Sequence, residues 1–178
     1  MHIFKYIVAK ILCKLCHSDE PMNRYHRRAG VAVGMNCHIY SDLATSESYL
    51  IEIGDNVTIS NGVQFITHDN SVCKVVPQFT DIFGKIKIGE NSFIGAKSIV
   101  MMGVNIPANT IVGAGSVVTR SFVEERTIIA GNPARIIGNW DAYESKYSDL
   151  AVDISGFAGE ERKHRIIESA EKLALIKK

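Results

Sequence analysis

An all-β chain wound as a parallel β-helix, with an α-helix added at each end, is the fold class this sequence predicts. Three observations carry that reading. Six aliphatic residues stand six apart without a break: Ile88, Ile94, Val100, Ile106, Val112 and Val118. Small residues recur one place after them (Gly89, Gly95, Gly113) or four places after them (Ser92, Ser98, Thr110, Ser116). Neither an α-helix, with its period of 3.6, nor a flat strand, with its period of 2, sustains a period of six. Such a repeat describes a coil in which each hexad drops one aliphatic side chain into a shared interior and three hexads close one turn.

Each element follows from the pattern in order. Ile3, Phe4, Ile7, Val8, Ile11, Leu12 and Leu15 recur at helical spacing, with Lys5, Lys10 and Lys14 mostly off that stripe, so residues 1–30 read as an amphipathic helix and capping segment. Its expected role is to cover the open first rung, whose unpaired backbone groups invite edge-to-edge association. A second role for the stripe is contact with an anionic membrane surface. Hexad register then shows at Val33 and Ile39 and at Ile53, Ile59 and Phe65. Ile88 is out of phase with Phe65, which marks 71–85 as a loop inserted in the coil. Residues 86–123 hold six uninterrupted hexads, and Ile128 to Ile137 continues as strand across Gly131-Asn132-Pro133. The coil domain is thus 31–138. Residues 139–178 form a C-terminal extension in which Ile166, Ile167, Ala170, Leu173 and Ala174 mark an amphipathic helix.

Bulk properties narrow the function classes. At 178 residues the chain fits one coil domain with small accessory elements. Basic and acidic residues nearly balance at a net charge of +1, which gives no sign of nucleic-acid binding. No apolar run approaches the roughly 20 residues a membrane span needs. The lysines that interrupt the N-terminal stretch argue against a signal peptide, so the expected compartment is cytoplasmic. The four cysteines suit a reducing compartment. Cys13, Cys16 and His17 spell the haem c attachment pattern, but no export signal accompanies it and no second cluster completes a zinc site, so no metal is expected.

The stretches IEIGDNVTISNGVQFITHDN and IKIGENSFIGAKSIVMMGVNIPANTIVGAGSVVTRSFVEERTIIAGNPARIIG resemble the hexapeptide-repeat acyltransferases. Within that family the likeness is greatest to the maltose/galactoside acetyltransferases and the bacterial polysaccharide O-acetyltransferases. The resemblance spans about residues 33 to 138 and implies a left-handed coil, a handedness that periodicity does not supply. It also implies a homotrimer and transfer of an acetyl group from acetyl-CoA to a hydroxyl or amine.

His68 stands at the family's catalytic position, just before the insertion. Independently, a sugar hydroxyl is a poor nucleophile at neutral pH, and a positioned imidazole can take its proton as it attacks the thioester carbonyl. The imidazole needs an acceptor on its other nitrogen, for which Asp69, Glu47 and a backbone carbonyl all qualify. By resemblance Glu47 and Tyr49 lie in an acceptor-side segment, and Asp69 and Asn70 join them as acceptor-binding candidates. The developing oxyanion needs a preorganised donor, which the resemblance assigns to the backbone N–H of Ala96; many relatives carry serine there. CoA maps onto Ala96, Lys97, Gly113, Ala114, Gly115, Thr119, Arg120, Asn132, Pro133 and Arg135. Arg135 is the best phosphate partner, because a guanidinium pairs bidentately with phosphate oxygens. Relatives often carry a second basic residue three places further on, where this chain has Gly138, so Lys97, Arg120 or Arg126 would have to substitute.

The expected function is therefore an acetyl-CoA:sugar O-acetyltransferase acting on a glycan hydroxyl of lipopolysaccharide, capsule or a precursor. The alternatives are an antibiotic acetyltransferase of the chloramphenicol or streptogramin type and a non-catalytic scaffold subunit. A γ-type carbonic anhydrase needs three zinc-binding histidines, yet after His68 only His164 remains. Serine acetyltransferases carry a large helical N-terminal domain, whereas about 30 residues precede the coil here, so serine is a less favoured acceptor than a glycan.

Overall fold

The aliphatic hexads fold as rungs of a three-faced coil. The structure is a computed structural model and describes residues 2–176. The first rung contributes β1 (Ala32–Val33) and β2 (His38–Ile39), and the second β3 (Ile51–Ile53), β4 (Thr58–Ile59) and β5 (Gln64–Phe65). An arm follows, made of β6 (His68–Asp69), a 3-10 turn over Ser71–Lys74 and β7 (Ile82–Phe83). The third rung is β8 (Ile86–Ile88), β9 (Phe93–Ile94) and β10 (Ile99–Val100), and the fourth β11 (Asn105–Ile106), β12 (Ile111–Val112) and β13 (Val117–Val118). The coil ends on β14 (Thr127–Gly131) and β15 (Ala134–Asn139).

Strands stack by face. The first face is β1-β3-β8-β11, the second β2-β4-β9-β12-β14-β15, and the third β5-β10-β13. Parallel register puts Ile53 on Ile88 on Ile106, Ile59 on Ile94 on Val112 on Ile129, and Phe65 on Val100 on Val118. The period of six is therefore one buried aliphatic per face per rung, and Ile88, Ile94, Val100, Ile106, Val112 and Val118 are all fully buried. Burying each such side chain contributes about 1.5–3 kcal/mol.

The small residues of the hexads have two duties. Ser98 Oγ and Ser116 Oγ both donate to the Gly113 carbonyl at 3.0 and 2.6 Å, which lets these buried hydroxyls satisfy a corner. Gly95 and Gly113 allow adjacent rungs to approach: a Cβ on Gly95 would lie 2.5 Å from the Ala114 nitrogen. At another corner Asn56, Asn91 and Asn109 take φ of 53–56° and bond in a column, Nδ2 to Oδ1, at 2.8 Å per step. Asparagine tolerates this left-handed conformation better than most side chains.

The ends correct the sequence reading in part. The N-terminal region holds two helices, α1 (His2–Cys16) and α2 (Glu20–Arg28). Only the second covers the first rung. Arg27 Nε donates to the Val33 carbonyl at 2.9 Å, Arg27 Nη2 to that of Gly34 at 2.6 Å, and Asn23 Nδ2 to that of Cys37 at 2.8 Å. The capping duty expected of the apolar stripe thus falls to a polar helix, whose donors reach the unpaired carbonyls that apolar side chains would leave unsatisfied. Helix α1 packs on α2 through Tyr6, Ala9 and Cys13, against Met22 and Tyr25.

The chain divides into two compact units, Met1–Gly138 and Asn139–Lys178. The second holds α3 (Trp140–Tyr147), capped by Asn139, whose Oδ1 accepts from the Ala142 N–H, and α4 (Gly159–Ile176). Within it the Arg165 guanidinium lies 3.7 Å from the Phe157 ring centre, and Ser169 Oγ donates to the Leu150 carbonyl.

Candidate active site

Two departures from hexad register meet at one place. Ile88 and Ile106, stacked partners, are 18 residues apart, whereas Val33 and Ile53 are 20 apart and Ile53 and Ile88 are 35 apart. The two extra residues of the first interval loosen the segment around Glu47, ahead of the 3-10 turn at Ser48–Leu50. The seventeen extra residues of the second form the arm, a β6-β7 antiparallel pair with His68 opposite Phe83 and Asp69 opposite Ile82.

There His68 Nδ1 and Glu47 Oε2 are 2.9 Å apart. The same carboxylate oxygen accepts from Thr67 Oγ1 at 2.9 Å. Thr67 is buried and the Glu47 side chain only 14% exposed, while the His68 side chain is 44% exposed. A neutral imidazole that donates through Nδ1 carries its acceptor lone pair on Nε2. The Phe83 ring, 5.9 Å centre to centre from the imidazole, is tilted beside it. Desolvation works against ionising Glu47, but the Thr67 hydroxyl and the His68 imidazole outweigh it and hold the carboxyl below its ordinary range. Glu47 is thus a fixed negative charge behind the ring.

Of the three acceptors open at the sequence level, the geometry selects Glu47. That residue stood among the acceptor-binding candidates; here it turns inward to the imidazole. Asp69 is occupied elsewhere: its Oδ1 accepts the Ser71 N–H at 2.7 Å and tightens the turn after β6, which lowers its carboxyl below the ordinary range. Tyr49 is 69% exposed and Asn70 is exposed at the head of the arm's 3-10 turn, both free of the His68–Glu47 pair. Thr67 and Phe83 were not foreseen. Thr67 had a signal, since alternation from Phe65 turns it inward, but Phe83 lies in the arm, where no register exists to read.

Most of the residues expected to bind CoA gather at a different corner, between the second and third faces; Thr119 and Arg120 do not. Lys97 donates its N–H to the Asn61 carbonyl at 3.0 Å, and Gly115 its N–H to the Ala96 carbonyl at 2.8 Å, so Asn61, Ala96 and Ala114 follow one another up successive rungs. Among the described residues no carbonyl accepts from the Ala96 N–H. Gly115 takes φ of 70°, and a Cβ there would meet nothing within 4 Å, so its reason is the turn. Gly113 is different: a Cβ would lie 2.9 Å from that of Ala130, so its reason is rung stacking. Above them, Asn132 and Pro133 are exposed, joined by a cis bond, and Arg135 is exposed, with Nη1 donating to the Ala134 carbonyl. Thr119 and Arg120 follow the third face, on the His68 side; Arg120 sits over the Phe122 ring at 5.5 Å. Arg126 stands at a positive-φ corner before β14.

Within one chain, then, His68 and Ala96 are not brought together. From Asn61, beside Ala96, to His68 the chain runs the length of the third face, roughly 20 Å at 3.3 Å per residue. The CxxCH segment forms no cluster with the site: Cys13 faces α2 and Cys16 is exposed. Among the described residues, no group of three or more His, Cys, Asp or Glu side chains is placed to hold a metal ion.

Comparison with known proteins agrees with this architecture. The family model described as the hexapeptide repeat of succinyl-transferase matches residues 51–66 and 85–120, the two stretches on either side of the arm. Protein CapG of Staphylococcus aureus is 49% identical over 130 residues, covering 70% of this chain and 75% of that protein. Galactoside O-acetyltransferase of Escherichia coli (strain K12) is 29% identical over 139 residues, 76% of this chain and 68% of that one. Among solved structures, a maltose O-acetyltransferase from Clostridium difficile 630 shares the fold with a TM-score of 0.52 at 23% identity, over 78% of this chain and 87% of that one.

Proposed function

The chain belongs to the hexapeptide-repeat acyltransferases, and on that premise we propose that it is an acetyl-CoA-dependent O-acetyltransferase acting on a sugar or glycan hydroxyl. The observation that carries this reading is His68, held at Nδ1 by Glu47 at the base of the arm with Nε2 directed away from that bond. The likeness to a galactoside O-acetyltransferase supports a sugar acceptor.

In this mechanism Nε2 of His68 takes the acceptor hydroxyl proton as the oxygen attacks the thioester carbonyl. The tetrahedral oxyanion is met by the Ala96 N–H. Its collapse breaks the C–S bond, and the leaving thiolate takes the proton back from His68. The Glu47 carboxylate stabilises the transient imidazolium and keeps the proton-bearing nitrogen turned inward. Tyr49, Asp69 and Asn70, around the His68 corner, orient the acceptor. Lys97, Thr119, Arg120, Asn132, Pro133 and Arg135 contact CoA, with the small corner at Gly113, Ala114 and Gly115 leaving room for the pantetheine arm.

The reading requires a second copy, because His68 and Ala96 stand at opposite edges of the third face. In a homotrimer of left-handed coils packed around their common axis, the His68 corner of one subunit meets the Ala96 corner of the next, and the arm, with Val75, Phe79 and Phe83 exposed, reaches the neighbour. His68→Ala tests the function directly. With an acceptor found by screening sugars for release of free CoA thiol, kcat should fall at least about 100-fold while CoA binding persists. An alanine variant with wild-type kcat would remove His68 from the chemistry and the proposal with it.

A further inference from the structure

Helix α1 carries two apolar faces, and α2 uses only one of them. Tyr6, Ala9 and Cys13 pack on α2. On the far side Phe4, Ile7, Val8, Ile11, Leu12 and Leu15 are 37–72% exposed. At 100° per residue these six fall within an arc of about 140°, one continuous stripe. A stripe of this width normally faces a core, yet the first rung is already covered by α2.

The charges around the stripe identify what it meets. Helix α1 holds no acidic residue in its 15 positions, and Lys5, Lys10 and Lys14 flank the stripe on both sides. Between α1 and α2 lies a groove of about 990 Å³, with Phe4, Val8 and Leu12 on one wall and Pro21, Arg24 and Arg28 on the other. Arg24 and Arg28 are exposed and have no carboxylate partner among the described residues. The first 30 residues contain six basic and two acidic side chains, a net +4, while the whole chain is +1, so the remaining 148 carry −3. Positive charge is therefore concentrated around the one large apolar surface that α1 leaves open.

We propose that α1 is an in-plane anchor that docks the protein on an anionic lipid bilayer. Apolar side chains enter the acyl boundary while the lysines extend their stems along the stripe and place their ammonium groups among the phosphates. Arg24 and Arg28 pair with headgroups across the groove. The helix lies on the membrane and does not cross it: 15 residues rise about 22 Å against a hydrocarbon thickness of about 30 Å. No described helix is long and apolar enough to cross a membrane.

The test is co-sedimentation of the full-length protein with vesicles, without acetyl-CoA or acceptor, so its outcome is independent of the proposed activity. Vesicles of phosphatidylcholine with phosphatidylglycerol should bind it, and pure phosphatidylcholine should bind far less. Raising ionic strength from about 0.1 M to about 1 M, which shortens the screening length from about 10 Å to about 3 Å, should release it. Near an anionic surface each lysine is worth about fivefold, so Lys5→Gln/Lys10→Gln/Lys14→Gln together should lower the partition coefficient about 100-fold. Phe4→Ser/Leu15→Ser, at positions 71% and 72% exposed, should abolish binding with an unchanged melting temperature. Absence of binding to the anionic vesicles, or equal binding to both kinds, would overturn the proposal. So would a Phe4→Ser/Leu15→Ser variant that still binds vesicles but changes oligomeric state by light scattering, since the stripe would then belong to a subunit contact.

Discussion

Replacing Glu47 separates two roles that the sequence left mixed, imidazole orienter and acceptor contact. Glu47→Ala removes one oxygen that serves both His68 Nδ1 and Thr67 Oγ1, each at 2.9 Å. Where an orienting carboxylate is buried behind a catalytic histidine, its neutralisation costs about 10⁴ in kcat, as in the serine proteases. Here the histidine side chain is 44% exposed, so water can take the place of the lost acceptor, and Phe83 still flanks the ring. The expected loss is accordingly smaller, about 10- to 100-fold in kcat, and below that of His68→Ala, because the base remains present but misoriented part of the time. KM for acetyl-CoA should not move, since the Glu47 carboxylate bonds to His68 and Thr67, neither of which is among the residues assigned to CoA. Glu47→Gln keeps an oxygen for the Nδ1 proton but loses the charge that stabilises the imidazolium, and should fall between wild type and Glu47→Ala. The assay is free-thiol release under initial-rate conditions, with acceptor and acetyl-CoA varied in turn. A Glu47→Ala enzyme with unchanged kcat and a raised acceptor KM would refute the orienting role and return Glu47 to the acceptor-binding set.

Arg135→Ala should raise KM for acetyl-CoA about tenfold with little change in kcat, the pattern of a contact made equally in ground and transition states; an unchanged KM would give the phosphates to Lys97, Arg120 or Arg126. His26, fully buried on the inward face of α2, has its imidazole pushed down to about 4, chiefly by desolvation, with Asp42 and the Ser41 carbonyl opposing. Its folded-state value lies below the unfolded 6.5, so the unfolded chain takes up a proton first and stability falls as pH drops from 6.5 towards 4; at 1.36 kcal/mol per pH unit the loss is about 3 kcal/mol. Urea midpoints for wild type and His26→Leu should diverge across that window, and parallel acid limbs would show that His26 does not set the acid sensitivity.

Legibility followed the side-chain register. The hexads were readable because each buries one aliphatic per face, and Ile53, Ile59 and Phe65 stack on Ile88, Ile94 and Val100 as their spacing requires. Helix α2 was not readable: Glu-Pro-Met-Asn-Arg-Tyr-His-Arg-Arg has no apolar stripe, because its inward face works through hydrogen bonds to the first rung. Helix α3 was missed for a related reason, since none of its residues is buried. The hand of the coil was never in the periodicity, for a left-handed and a right-handed prism place the same side chain inside at the same interval.

The site was legible at His68 and obscure around it, and the reason is physical. A coil in strict register sends each residue in or out by position, and adjacent rungs lie about 4.8 Å apart. In such a surface a side chain meets its register partner on the next rung, as Glu52 meets Lys87, so which groups can meet is set by the rung length. Bonding Glu47 to His68 takes a first rung lengthened by two residues and a second interrupted by seventeen, with the two irregular segments adjoining at one corner. Sequence reading can find such breaks, as it found the one after Phe65, because a lost period is itself a signal. It cannot say what crosses between two breaks, because neither segment retains a register from which a direction could be inferred. Glu47 was therefore named as a candidate, and only the fold turned it towards the histidine.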